Sequence, residues 1–195
     1  LLEQTEYAIV FYTSMWTLLY ICVLMVPIPR RMRKHLSHQE ELDVRNRVVS
    51  VVHGLFLIVY CGSEFLSLEE LTVQSDIPAT LSTGCNNVNT EMQNFIFRVS
   101  TGYFLYDFLA MGYYGLLDWA MTMHHLASAM GMMLMVNANK SGYLLMGGMF
   151  IGEVSNPFMH FRVILRLLGR RYCLAYEYTE IAFVVLYMLG RIVIG

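Results

Sequence analysis

Charge is scarce in this chain: Asp, Glu, Lys and Arg make up 14% of its 195 residues, where an ordinary soluble domain carries about 25%. No separate basic domain remains for nucleic acid to bind. The four cysteines, Cys22, Cys61, Cys85 and Cys173, have neither CxxC nor Cys/His spacing, so no disulfide framework or zinc site is indicated. A P-loop, a Rossmann glycine pattern, an internal repeat and low-complexity sequence are all missing. The lack of an evident inverted repeat speaks against a transporter. Lys and Arg are absent from residues 69–94.

What is present is apolar. Hydrophobic residues make up 56% of the chain and the mean hydropathy is +0.49. A transmembrane helix needs about 20 apolar residues, and six stretches qualify: residues 7–26, 48–68, 95–115, 119–136, 142–168 and 173–195. The expected architecture is all-α, a polytopic membrane bundle of about six helices forming one domain over residues 1–195. Leu1 and Gly195 read as fragment edges, and the first span reads as a signal anchor. Only the first and fourth spans lack acidic and basic residues. The others carry Glu64, Arg98, Asp107, Glu153, Arg162, Arg166, Glu177, Glu180 and Arg191, which must be shielded from lipid inside the bundle.

Lys and Arg collect on the cytoplasmic side of short loops. Ten of the thirteen basic residues fall on one side if six spans alternate: Arg30, Arg31, Arg33, Lys34, Arg45 and Arg47 in the first loop, and Arg162, Arg166, Arg170 and Arg171 around the end of the fifth span. The amino end is therefore expected to be lumenal or extracellular. The opposite loop carries Glu69, Glu70, Asp76 and Glu91, which have little orienting weight. The basic loop can also be read as a patch for anionic headgroups, diluted by Glu40, Glu41 and Asp43. Asn139-Lys140-Ser141 is a glycosylation sequon, too close to the membrane for ready modification.

Two adjacent histidines, His124 and His125, lie in a run without Lys, Arg, Asp or Glu. Ionisable groups at that depth are functional candidates by default. The third and fourth spans are joined too tightly for anything but an antiparallel hairpin. At 1.5 Å rise per residue, Asp107 and His125 both sit about 13 Å from the turn. His53 on the second span is expected to converge with them. Neighbours on a helix point about 100° apart, so the two imidazoles should differ in role. One arrangement has one ring exchanging a proton while Asp107 holds the other; the alternative is a His pair that staples helices. A metal site fits poorly, because helical ligands usually repeat at i and i+4, and no metal is expected. In the fifth span, Pro157 frees the carbonyl of Glu153 and predicts a kink, with Glu153 facing the interior. Met130, Met132, Met133 and Met135 suit an adaptable acyl-chain cavity and equally an ordinary core.

Several motifs together resemble the TLC-domain membrane proteins, a family that includes the ceramide synthases. They are NRVVSVVHG with His53, STGYFLYDF with Gly102, Tyr103 and Asp107, MHHLAS with the histidine pair, GEVSNP with Glu153, Ser155 and Pro157, and LGRIVIG with Arg191. The likeness is strongest over residues 45–195, and the tight order is similar to the small subgroup of the transmembrane protein 136 type, also called the TLC domain-containing protein 5 type. It implies a six-helix barrel around a lipid-accepting cavity, in a eukaryotic endomembrane (endoplasmic reticulum or Golgi) or the plasma membrane.

The resemblance implies candidate catalytic residues His124, His125 and Asp107, and candidate cavity or lipid-binding residues His53, Tyr103, Glu153, Ser155 and Arg191. In the ceramide synthases a similar pair serves acyl transfer from acyl-CoA to a sphingoid base. Here Asp118 stands six residues before His124, one position out of that signature's register, and Ser128 replaces its threonine. Two readings follow: a protein that binds lipids and influences membrane composition, or a histidine-dependent acyltransferase with acyl-CoA as co-substrate. No cofactor is expected. The partners implied are membrane lipids, and the sequence is compatible with homo- or hetero-oligomers.

Overall fold

The computed structural model describes residues 2–34, 36–75 and 88–194; Cys85, Asp76 and the side chains of Glu69 and Glu70 lie outside them. The apolar runs become helices α1 (Leu2–Met25), α3 (His38–Ser75), α4 (Glu91–Tyr113) and α5 (Trp119–Ala138), with a one-turn helix α2 (Arg30–Arg33) in the first basic loop. The fifth run is divided into α6 (Gly142–Glu153) and α7 (Asn156–Leu167), and the sixth continues from α8 (Leu174–Met188) into a π-helical end, Leu189–Ile194. Among the described residues six rods stand where six spans were expected, in an all-α membrane bundle. Two of them, Thr5–Met25 and His38–Glu64, are long and apolar enough by themselves to cross a membrane. The halves of the fifth rod and α8 are shorter, at 12, 12 and 15 residues, and α4 and α5 carry interior polar residues, Arg98 and Asp107 in one and the histidine pair in the other.

The helix ends follow local chemistry. Thr90 starts α4 with a capping box: its side chain accepts from the Gln93 N–H and the Gln93 side chain accepts from the Thr90 N–H, which satisfies two otherwise orphaned donors. Asp118 starts α5 by accepting from the Met121 N–H at 2.7 Å. Between them Gly115 takes φ +69°, a conformation glycine adopts without steric cost. Pro157 lies in the first turn of α7, where its missing N–H costs nothing. The expected kink is therefore a full break, with Val154 and Ser155 as the joint.

Helix α4 is the hub, packing against α1, α3, α5 and α6. Val49, Leu57, Ile96, Phe97 and Met146 from three of these helices are completely buried. Helix α1 crosses α4 so closely that a Cβ on Gly102 would stand 2.6 Å from Tyr12 Cβ and 2.8 Å from the Thr13 nitrogen. Trp16 Nε1 donates to the Val99 carbonyl across the same contact at 3.1 Å. The outer face of α1 leaves Tyr7, Val10, Phe11, Leu18 and Met25 exposed, as expected of a surface solvated by lipid.

The carboxyl end of α1 is closed by a charge. Arg45, buried in α3, donates through Nη1 to the carbonyls of Val23, Leu24 and Val26 at 2.6–3.1 Å, and its Nη2 pairs with Glu41 at 3.0 Å. A cation at a helix C-terminus neutralises carbonyls that lack partners. Arg45 therefore serves the fold as well as the charge asymmetry read from the sequence. The two basic loops do share one end of the bundle, because Arg30 and Arg31 line a common groove with Arg170.

The crossing at Gly102 is testable. Gly102→Ala overpacks it and is expected to cost about 1–3 kcal/mol. Gly131→Ala, with nothing within 4 Å, should be neutral or gain up to about 1 kcal/mol from helix propensity. Thermal unfolding of the two variants in one detergent checks the contrast; equal melting temperatures would contradict the close crossing.

Candidate functional site

At the centre of the bundle, His125 on α5 meets Asp107 on α4, with Nε2 and Oδ2 2.7 Å apart and both side chains at most 6% exposed. The other carboxylate oxygen accepts from Asn46 Nδ2 of α3 at 2.5 Å. Asn46 Oδ1 in turn accepts from the Tyr106 hydroxyl at 2.7 Å. Three helices thus converge on one carboxylate. The second ring nitrogen of His125, Nδ1, lies 2.8 Å from the Met121 carbonyl. A carbonyl can only accept, so Nδ1 carries a proton, and one further proton is shared between Nε2 and Asp107. Both ring nitrogens are then engaged, leaving His125 no lone pair to offer a substrate.

His124 differs. One residue along the helix its ring is turned about 100° away; it is exposed and has no hydrogen-bond or ion-pair partner among the described residues. It lines a cavity of about 560 Å³ with Ser128, Glu153 and Arg191 as the other polar groups and Leu57, Phe104, Met132, Leu145 and Met149 among the apolar ones. Glu153, at the end of α6, accepts from Asn156 Nδ2 at 2.8 Å. Arg191 reaches the same space from the π-helical segment, its guanidinium 5.0 Å from the centre of the Tyr187 ring. Gly190 brings that segment against α6, since a Cβ there would lie 3.0 Å from the Ile151 carbonyl oxygen. A single wide turn of this kind often marks a functional position.

The remaining candidates are placed elsewhere, which corrects two expectations. His53 does not join the histidine pair: it stacks on Tyr103 with ring centres 3.8 Å apart, meets Trp16 edge-on, and bonds Ser100 Oγ through Nε2 at 3.2 Å. The aromatic ring of Phe104 contacts His53 on one hand and His124 and His125 on the other. Ser155 and Tyr103 do not reach the cavity either, because Ser155 is enclosed at the α6–α7 joint and Tyr103 in the aromatic stack. Asn46, Tyr106 and Phe104 were not among the expected site residues. Asn46 stands seven residues before His53 and so on the same helical face, a signal the sequence does carry. Among the described residues no group of three or more His, Cys, Asp or Glu is placed to hold a metal ion.

The motifs occupied by His53, Asp107, the histidine pair, Glu153 and Arg191 all fall within residues 43–195, the stretch matched by the TLC domain family profile. The chain belongs to the TLC domain family. No solved structure matches it. In this TLC domain Asp118 is the N-cap of α5, so the acid that stands out of register has a structural duty at the hairpin turn rather than a place beside the cavity.

The two histidines should separate in stability measurements. Asp107→Ala leaves the His125 Nε2 and the Asn46 amide without partners and should cost about 3 kcal/mol, a figure held down because polar groups find partners in the membrane-unfolded state too. His124→Ala breaks no hydrogen bond or ion pair among the described residues and should stay within about 0.5 kcal/mol. Unfolding curves in which the two variants lose equal stability would contradict this division.

Proposed function

We propose that this TLC-domain protein binds a membrane lipid by an acyl chain in the cavity lined by His124, Glu153 and Arg191, and so influences membrane lipid composition. The observation that carries the reading is the cavity itself: about 560 Å³, within the roughly 300–1,000 Å³ usual for ligand sites, apolar with a few polar groups. Met132 and Met149 supply flexible, polarizable walls. Arg191 offers a fixed positive charge to a phosphate or carboxylate. The proposal places the protein in an endomembrane or the plasma membrane, and in the small transmembrane protein 136 type subgroup. The end bearing Arg30, Arg31 and Arg170 faces the cytoplasm, with the amino end lumenal, by the positive-inside rule.

A second reading is favoured by one observation: His124 stands at the cavity wall with no hydrogen-bond or ion-pair partner among the described residues. An amine or hydroxyl of an acceptor lipid would attack the carbonyl carbon of an acyl-CoA thioester while His124 takes its proton. The new amide or ester bond forms as the carbon–sulfur bond breaks, and the proton passes from His124 to the departing thiolate. Asp107 and His125 are positioning residues in that scheme, holding α5 so that His124 faces the cavity.

Gly148 lines the cavity, and a Cβ added to it would meet nothing within 4 Å, so Gly148→Trp should fill the space without disturbing the helices. Native mass spectrometry of purified protein is expected to find wild type with stoichiometric lipid and the variant at least about tenfold depleted at unchanged melting temperature. Wild type free of lipid, or a variant that keeps it, would sink the binding reading. Acyl transfer from labelled acyl-CoA to sphingoid bases or lysolipids, abolished by His124→Ala in folded protein, would establish the second reading instead.

A further inference from the structure

A second cavity, about 760 Å³, lies at the basic end of the bundle between Pro29–Met32 and Leu168–Arg170, far in sequence from the histidine pair. It is formed where the α1–α3 loop meets the α7–α8 loop, and it brings Arg30 and Arg31 together with Arg170 over the apolar side chains of Met32 and Leu168. The acids at the start of α3 are already engaged. Glu41 pairs with Arg33 and Arg45, Asp43 pairs with Arg47, and Glu40 accepts from the Ser37 N–H. Among the described residues Arg30, Arg31 and Arg170 have no ion-pair partner, so the positive field of the groove is not cancelled by those acids.

Depth selects the occupant. The groove is lined by the segments that follow α1 and α7, and within four residues of them along the chain stand Met25, Tyr172 and Leu174, which are 78%, 91% and 83% exposed. Exposed aromatic and aliphatic side chains next to arginines are the composition of a membrane–water interface. A phosphate on a lipid headgroup reaches that level with its acyl chains still in the bilayer. Guanidinium forks suit phosphate oxygens geometrically.

We propose that this groove is a binding site for the phosphate of an anionic membrane lipid, held by Arg30, Arg31 and Arg170. It is separate from the histidine-lined cavity and does not depend on that cavity's ligand. Each arginine near a charged interface contributes about fivefold in affinity, so the three together give on the order of a hundredfold.

The test uses the full chain in detergent, titrated with phosphatidylinositol 4-phosphate or phosphatidylcholine and read by native mass spectrometry. Wild type should prefer the anionic lipid by at least about tenfold. The triple variant Arg30→Gln, Arg31→Gln, Arg170→Gln should lose the preference, and Lys140→Gln in the α5–α6 loop should keep it. Arg170→Gln alone should lose about fivefold, which keeps the test decisive should the triple variant fold poorly. Equal binding of both lipids by wild type, or an undiminished preference in folded Arg170→Gln, overturns the proposal. Displacement of the lipid by free coenzyme A or inorganic phosphate at matching affinity also overturns it, by showing a site for soluble phosphate. Retention of the histidine-cavity lipid in the triple variant would show that the two sites are distinct.

Discussion

The bond between His125 Nε2 and Asp107 Oδ2 is the constraint on which the arrangement of this membrane domain rests. In hydrocarbon a carboxylate without partners is costly, and Asp107 is made tolerable by donors from two other helices, His125 on α5 and Asn46 on α3. Those donors can be supplied in only one packing of α3, α4 and α5. Once that packing is set, the rotation of α5 is fixed, and His124 must point into the space between α5, α6 and the π-helical segment. A stabilising contact at one helical position therefore determines the chemistry available at the next.

Backbone features complete the enclosure. Gly102 lets α1 lie against α4, and Gly190 lets the last segment lie against α6. Both bring side chains inward by removing one, a common device where lipid supplies no hydrophobic pressure between helices. Gly54 does the same for the α6–α7 joint, where a Cβ would meet Pro157 Cγ at 3.0 Å. The break at that joint leaves Glu153 at a helix end, where Asn156 can reach its carboxylate. Arg45 closes α1 in the same spirit, answering three carbonyls with one guanidinium.

Much of this is legible in the sequence because helix rise is constant. Counting outward from the hairpin turn puts Asp107 and His125 at one depth, and the structure joins them. The divergence of neighbouring helical residues separates His124 from His125 in the same way. The break near Pro157 follows from its missing N–H. What the sequence does not convey is how far each helix slides along its axis against its neighbours. Asn46 and His53 share a face of α3 about two turns apart, and it is Asn46 that comes level with Asp107 while His53 meets Trp16 and Tyr103. Ser155 and Tyr103 are likewise near the interior but turned away from the cavity. The grouping of Arg30 and Arg31 with Arg170 depends on two loops distant in the chain, which periodicity along one helix cannot relate.

The claim that adjacent histidines divide structural and cavity-facing roles is tested most directly by their reactivity. Diethyl pyrocarbonate acylates an imidazole nitrogen that has a free lone pair, and tandem mass spectrometry can place the adduct on either residue of the pair in folded, detergent-solubilised protein. The account predicts modification of His124 with His125 protected until the protein unfolds. Equal modification of both rings, or preferential modification of His125, would contradict it.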